Sequence, residues 1–284
     1  MKYFEGHYLD LEVINTIRLR IITYHVIQDY KQFEKQLKFL KRSGYSALTM
    51  AEFLDILSTK KQFKSRDILI TFDDGDYTVY EQGMPLLKKY NIPAALFVVP
   101  SLINTNNPFW WDEILYYTND YNKVRWAKTV SNKQRLEYIE ELRKESNKPL
   151  FKQQQLTLDE LRELEQNGIA IGNHTMCHPM LDKLTEPELE SELVDSSNYL
   201  KENGFRFHNI LAYPNGNISE TVIQKVKQTG IKAGFLFNHQ LARPGESPYR
   251  ISRLSVNDHT SIWKYRLILS GFHSALLKLK KKAL

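Results

Sequence analysis

Asp73 and Asp74 stand side by side after the apolar run 68–72 and immediately before Gly75. The run is too short for a helix and too apolar for a loop, so it reads as a buried strand. Neighbouring strand residues point to opposite faces. Both carboxylates can look the same way only if the backbone bends at the strand end, and Gly75 supplies the freedom to bend. Carboxylates at the rim of an apolar strand are costly to desolvate unless a cation or a proton relay compensates them. The same letters also fit a plain aspartate-rich turn. Further along, His174 and His178 follow a second apolar run, 169–172. Their spacing predicts both imidazoles on one side of a helical turn. Two imidazoles and a carboxylate with a fourth position open suit a catalytic divalent metal. Such a metal activates a water or polarises a carbonyl, and the other aspartate is free to take the water's proton. Cys177 lies between the histidines and could also ligate. On a helical turn each step rotates the side chain by about 100°, however, so it reads as a bystander.

The elements that must hold these groups alternate along the chain. Residues 18–24 read as a β-branched strand ending at His25. Asp29 caps a helix whose apolar face carries Phe33, Leu37 and Leu40. Short strand and helix readings follow at 45–49 and 51–57, then the strand with its two aspartates. A helix is expected over 77–90, with Pro85 kinking or breaking it. Strands are expected at 94–99, 169–172, 209–213, 232–237 and 250–256, separated by helices over 157–167, 185–203 and 219–229. Such alternation predicts parallel strands joined by right-handed crossovers. Polar groups sit at the C-terminal ends of many separate strands: His25, Asp73 and Asp74, His174, Tyr213 and His239. A closed barrel brings all those ends to one face, whereas an open sheet spreads them along an edge. The barrel is therefore the expected form. Residues 101–155 break the alternation and read as a helical insertion capping one end of the fold. Trp110 and Trp111 within it suit either core packing or the flank of a carbohydrate site.

The chain of 284 residues is expected to form a single α/β domain over 1–284. Cys177 is its one cysteine, so no internal disulfide can form. The first residues lack the basic start and apolar core of a signal peptide, and no window approaches the ~20 apolar residues of a membrane span. The cytoplasm is the expected location. The formal charge of +6 is partly gathered in Lys278, Lys280, Lys281 and Lys282, at the end of a basic helix expected over 259–284. That helix suits either packing on the domain with a solvated tail or peripheral contact with the inner, anionic face of a membrane. No nucleic-acid recognition motif accompanies the charge, and no nucleic-acid partner is expected.

Three segments in this order resemble the motifs of the polysaccharide deacetylase family: Thr71-Phe72-Asp73-Asp74-Gly75, His174-Thr175-Met176-Cys177-His178-Pro179 and Ala212-Tyr213-Pro214-Asn215-Gly216. This is the NodB-homology domain, or carbohydrate esterase family four. The resemblance spans about residues 21–256 and implies an α/β fold, a deformed (β/α) barrel of the NodB-homology type with the helical insertion added. It implies metal-dependent removal of N-acetyl or O-acetyl groups from a sugar. Position by position it implies Asp73 as general base and Asp74, His174 and His178 as ligands of a divalent metal, usually Zn2+. It further implies a groove wall at Tyr213 and Pro214, with the Tyr213 amide as an oxyanion donor, and His25 as general acid. The chain departs from the family in two places. Many members carry, where this chain has Ala212, an arginine that orients the base; Arg253 either substitutes for it or makes a structural ion pair. The family's later motifs are not recognisable, although Phe237-Asn238-His239 echoes one of them and keeps His239 as a rival acid. The expected substrate is an N-acetylated sugar in a polysaccharide, an oligosaccharide or a lipid-linked glycan precursor, with Trp110 among its contacts. Two other readings stay open: a catalytically inactive glycan-binding protein on the same fold, and a barrel metal hydrolase acting on another amide or ester.

Overall fold

The computed structural model describes residues 19–282 apart from 60, 62 and 244, with side chains as far as Leu277. The lysines on which a membrane contact was expected, Lys278 and Lys280 to Lys282, lie outside the described side chains.

In chain order the elements are β1 (Arg20–Tyr24), α1 (Tyr30–Arg42), β2 (Ser46–Ala47), α2 (Met50–Thr59), β3 (Asp67–Phe72), α3 (Met84–Tyr90) and β4 (Ala94–Val98). The insertion then supplies α4 (Trp110–Thr118), α5 (Tyr121–Ala127) and α6 (Asn132–Glu145). The chain continues with α7 (Leu158–Gln166), β5 (Ile169–Asn173), α8 (Glu186–Glu202), β6 (Ile210–Ala212), α9 (Glu220–Gln228), β7 (Ala233–Phe235), β8 (Leu254–Ser255), α10 (Ile262–Leu269) and α11 (Phe272–Lys282). Local chemistry sets several ends. Asp29 accepts from the Gln32 amide at the start of α1, and Thr157 with Glu160 forms a capping box at the start of α7. The helix expected over 77–90 runs that length, with a π segment at Val79–Gly83 just before Pro85. Pro85 thus lies inside a continuous helix directly after the π segment, the kind of local widening by which a helix accommodates a residue that cannot donate.

All strand pairings are parallel, in the order β7-β6-β5-β4-β3-β1-β8, with β2 beside β3. A parallel bridge between Phe235 and Ile251 sets the chain entering β8 against β7, so the two ends of the curled sheet meet. The result is a deformed barrel of the expected kind. The alternation along its strands sorts two cores. Ile22, Tyr24, Ile70, Phe72, Leu96 and Ile171 face outward under the helices. Ile21, Leu69, Ala95, Phe97, Ala170, Ile210 and Phe235 fill the barrel. Gly172 shares that inward parity, and a Cβ there would lie 2.8 Å from both Ile210 Cγ1 and Phe97 Cδ1. Only glycine leaves room for those side chains.

The insertion has a small core of its own, formed by Trp110, Ile114, Val124, Ala127 and Ile139 with Met180 of the barrel. Glu113 braces it, accepting from Arg143 Nε at 2.7 Å and Nη2 at 2.8 Å.

Candidate active site

Thr71 and Asp73 continue the inward parity of Leu69, and Thr23 that of Ile21, so polar groups replace apolar ones where the barrel opens at its C-terminal end. The Asp73 amide still donates to Tyr24 O at 2.9 Å, which extends the ladder past β3. Its carboxylate is buried and meets Arg253 in a two-pronged pair: Nη1 to Oδ1 at 2.7 Å and Nη2 to Oδ2 at 2.6 Å. Arg253 is itself fully buried, just before β8. Its Nε donates to Leu236 O at 2.8 Å, its Nη1 also reaches the Thr23 and Thr71 hydroxyls at 3.2 Å, and its guanidinium lies over the rings of Phe97 and Phe235. A planar fork held on so many sides fixes both carboxylate oxygens. Burial pushes the Asp73 carboxyl up, but Arg253, with help from His174 and His25, more than offsets it and leaves it below its usual value.

Asp74 should face away from Asp73, and the expected bend prevents it. Asp74 and Gly75 both take left-handed conformations, with φ of 73° and 77°. A Cβ on Gly75 would sit 3.1 Å from Val98 Cγ1, so the turn is also close-packed. Asp74 Oδ1 then lies 3.3 Å from His174 Nε2 and 3.4 Å from His178 Nε2.

His174 continues the inward parity of β5. The expected helical turn between the two histidines is absent: residues 174–180 form an irregular loop, with Thr175 and His178 at positive φ. The loop is pinned from outside. Asn173 accepts from the Thr175 amide at 2.7 Å, Glu192 of α8 accepts from the Cys177 amide at 2.8 Å, and Trp110 Nε1 donates to His178 O at 3.0 Å. Cys177 is exposed and lies outside the ligand group.

The donor chemistry of the three residues fits a divalent metal. His174 Nδ1 donates to Ala212 O at 2.8 Å, which leaves the neutral ring's Nε2 lone pair facing a carboxylate oxygen. Two acceptors at that distance need a proton or a cation between them. The ligand atoms of Asp74, His174 and His178 lie within 4.8 Å of one another, the one such grouping among the described residues. Burial pushes the His178 imidazole down to about 3, which favours the neutral form a metal requires.

Asp73, Asp74, His174 and His178 open into one cavity of about 250 Å³, and His25 at the end of β1 lines it with them. The other expected contacts are placed differently. Tyr213 is fully buried among the residues between the barrel and α9; its amide donates to Phe235 O at 3.0 Å and its phenol to Tyr249 O at 2.9 Å. That amide is already engaged and cannot serve as an oxyanion donor. Pro214 is buried as well, and the residue that this turn directs into the cavity is Asn215. Trp110 is buried behind His178, while the half-buried Trp111 reaches the cavity with its ring 4.5 Å from the His178 imidazole. His239 lies away from the cavity, with Nε2 2.8 Å from His273 Nδ1 of α11. The insertion contributes three further residues that sequence reasoning missed: Tyr121, Val124 and Lys128. Their helical spacing was the available signal, but it does not say which way the helix faces.

A family model described as polysaccharide deacetylase matches residues 60–234. The chain belongs to the polysaccharide deacetylase family. It is similar to poly-beta-1,6-N-acetyl-D-glucosamine N-deacetylase of Staphylococcus aureus, with 29% identity over 238 residues, 84% of this chain and 70% of the relative. Two solved proteins share its fold. The deacetylase PplD of Streptococcus pyogenes, solved with acetate, superposes with a TM-score of 0.67 at 21% identity, covering 89% of this chain and 99% of that one. IcaB from Ammonifex degensii superposes with a TM-score of 0.63 at 20% identity, covering 89% and 96%. The deacetylase family's three motifs thus sit at the ends of β3, β5 and β6, on the rim of one cavity.

Proposed function

We propose that this deacetylase removes acetyl groups from N-acetylglucosamine units of a polysaccharide, using a divalent ion, zinc first among the candidates, held by Asp74, His174 and His178. The observation that carries the reading is the buried Asp73–Arg253 pair set beside that three-residue group in one cavity. The relatives named for poly-beta-1,6-N-acetyl-D-glucosamine support the choice of sugar. When bound, the ion supplies Lewis-acid polarisation of the acetyl carbonyl and lowers the pKa of water. Arg253 keeps Asp73 ionised and oriented, so Asp73 takes the proton of the attacking water. As the carbon–oxygen bond forms and the amide carbon–nitrogen bond breaks, His25 delivers a proton to the departing sugar nitrogen. Acetate and a free amino sugar result. The pair also answers the ground for a glycan-binding reading, because a guanidinium reaches Asp73 from beside β8 in place of the one missing at Ala212.

Acetate release from N-acetylated oligosaccharides, O-acetylated sugars and a lipid-linked sugar tests the reading. Asp73→Asn is expected to lower kcat by about 10²–10⁴-fold while one equivalent of metal stays bound. Release that survives Asp73→Asn, or a wild-type chain that binds no metal, would overturn it.

A further inference from the structure

Tyr121, Val124 and Lys128 are spaced i, i+3 and i+7 across α5 and its C-cap, so they share one face, and all three line the catalytic cavity. Val124 is buried in the insertion's own core, which fixes how that face is turned. Lys128 is half-buried, and its ammonium donates to Asn215 Oδ1 at 2.6 Å, across from the insertion to the turn after β6. Among the described residues no carboxylate comes within ion-pair distance of it. A cation partly withdrawn from water, with a neutral amide as its one hydrogen-bond partner among the described residues, retains two N–H donors for whatever enters. An ammonium can donate only to a lone pair, and an N-acetylated sugar offers several on its hydroxyl and ring oxygens.

We propose that Lys128 is a substrate-binding residue, donating to an oxygen of the bound N-acetylated sugar while Asn215 holds it in place, so that the insertion helps to select the sugar. The inference rests on the deacetylase reading of the cavity. In that reading the acetyl carbonyl is served by the ion at Asp74, His174 and His178. The free N–H groups of Lys128 are left for parts of the sugar that do not change during reaction. Contacts of that kind are equally strong in the ground and transition states, so they show in KM rather than in kcat.

The test compares the full-length wild type with Lys128→Met and Lys128→Arg. Binding of β-1,6-linked and β-1,4-linked N-acetylglucosamine pentamers is measured by calorimetry, kcat and KM by acetate release, and folding by thermal melting. Lys128→Met is expected to raise Kd and KM by about tenfold or more, as loss of a charge-assisted hydrogen bond does. Its kcat stays close to wild type, its melting temperature is unchanged, and Lys128→Arg recovers part of the affinity. An unchanged Kd and KM would overturn the proposal. A fall in kcat at constant KM would overturn it in favour of transition-state stabilisation. A loss of affinity that tracks a lowered melting temperature and is not recovered by arginine would overturn it in favour of a mere strap between insertion and barrel. A wild type that binds a pentamer without releasing acetate sinks the deacetylase reading alone, and the Kd comparison still decides Lys128. A wild type that binds neither pentamer sinks both.

Discussion

Arg253 determines how Asp73 behaves, because it is the group that pairs with both oxygens of this buried carboxylate. A lysine at that position keeps the charge but presents a single point to one oxygen. Arg253→Lys is therefore expected to leave the fold in place and lower kcat by about 10- to 100-fold, with little change in KM, since misplacing a reacting group costs rate more than binding. Arg253→Ala leaves the carboxylate buried and unpaired, and is expected to cost about 3–5 kcal/mol in urea unfolding. A lysine variant with wild-type kcat would reduce the pair to a structural one.

Among the elements, the loop between β1 and α1 carries His25 and needs an anchor of its own. Asp258 provides it: Oδ2 accepts from the Gln28 amide at 2.5 Å and the Asp29 amide at 2.6 Å. Burial pushes the Asp258 carboxyl up, but those amides and His259 more than offset it and hold it below its ordinary value. A lowered folded-state pKa means that the stabilisation is present above the unfolded value and is lost as pH falls through the folded one. Wild type is thus expected to exceed Asp258→Asn in stability by about 1–3 kcal/mol at neutral pH. The gap should close as pH drops below about 4. Urea unfolding across that range checks it; a gap that does not vary with pH would mean that the amides do not depend on the ionised carboxylate.

At the scale of the whole molecule, the ligand group joins β3 to β5 across β4, so an ion there ties together separate parts of the barrel. A ligand that binds only the folded chain stabilises it by mass action. Chelation is expected to lower the melting temperature by about 5 °C or more, and zinc to restore it. Asp74→Asn combined with His178→Ala should abolish the response to both. A melting temperature indifferent to chelator and zinc would argue against a metal at this position. The described residues contain no helix long and apolar enough to cross a membrane.

Much of this was legible in the sequence because it depends on local rules. The short apolar runs before Asp73 and His174 named the strands, and the alternation with helices named a parallel barrel. Strand parity made a bend at Asp74 and Gly75 necessary if both carboxylates were to face one site. Residues that the sequence placed at strand ends met as expected where they continue an inward-facing strand, as Asp73 and His174 do. What local rules could not decide is which way a residue turns once regular structure stops. His178 reaches Asp74 through two positive-φ residues rather than a helical turn, Tyr213 turns into the interior and leaves Asn215 to face the cavity, and His239 turns to α11. Nor could spacing show which tryptophan faces the site, or that Lys128 enters it from an insertion far away in the chain. Arg253 and Asp73 are likewise distant in sequence and become neighbours because β8 pairs with β1 and β1 with β3, a long-range pairing that no local pattern specifies.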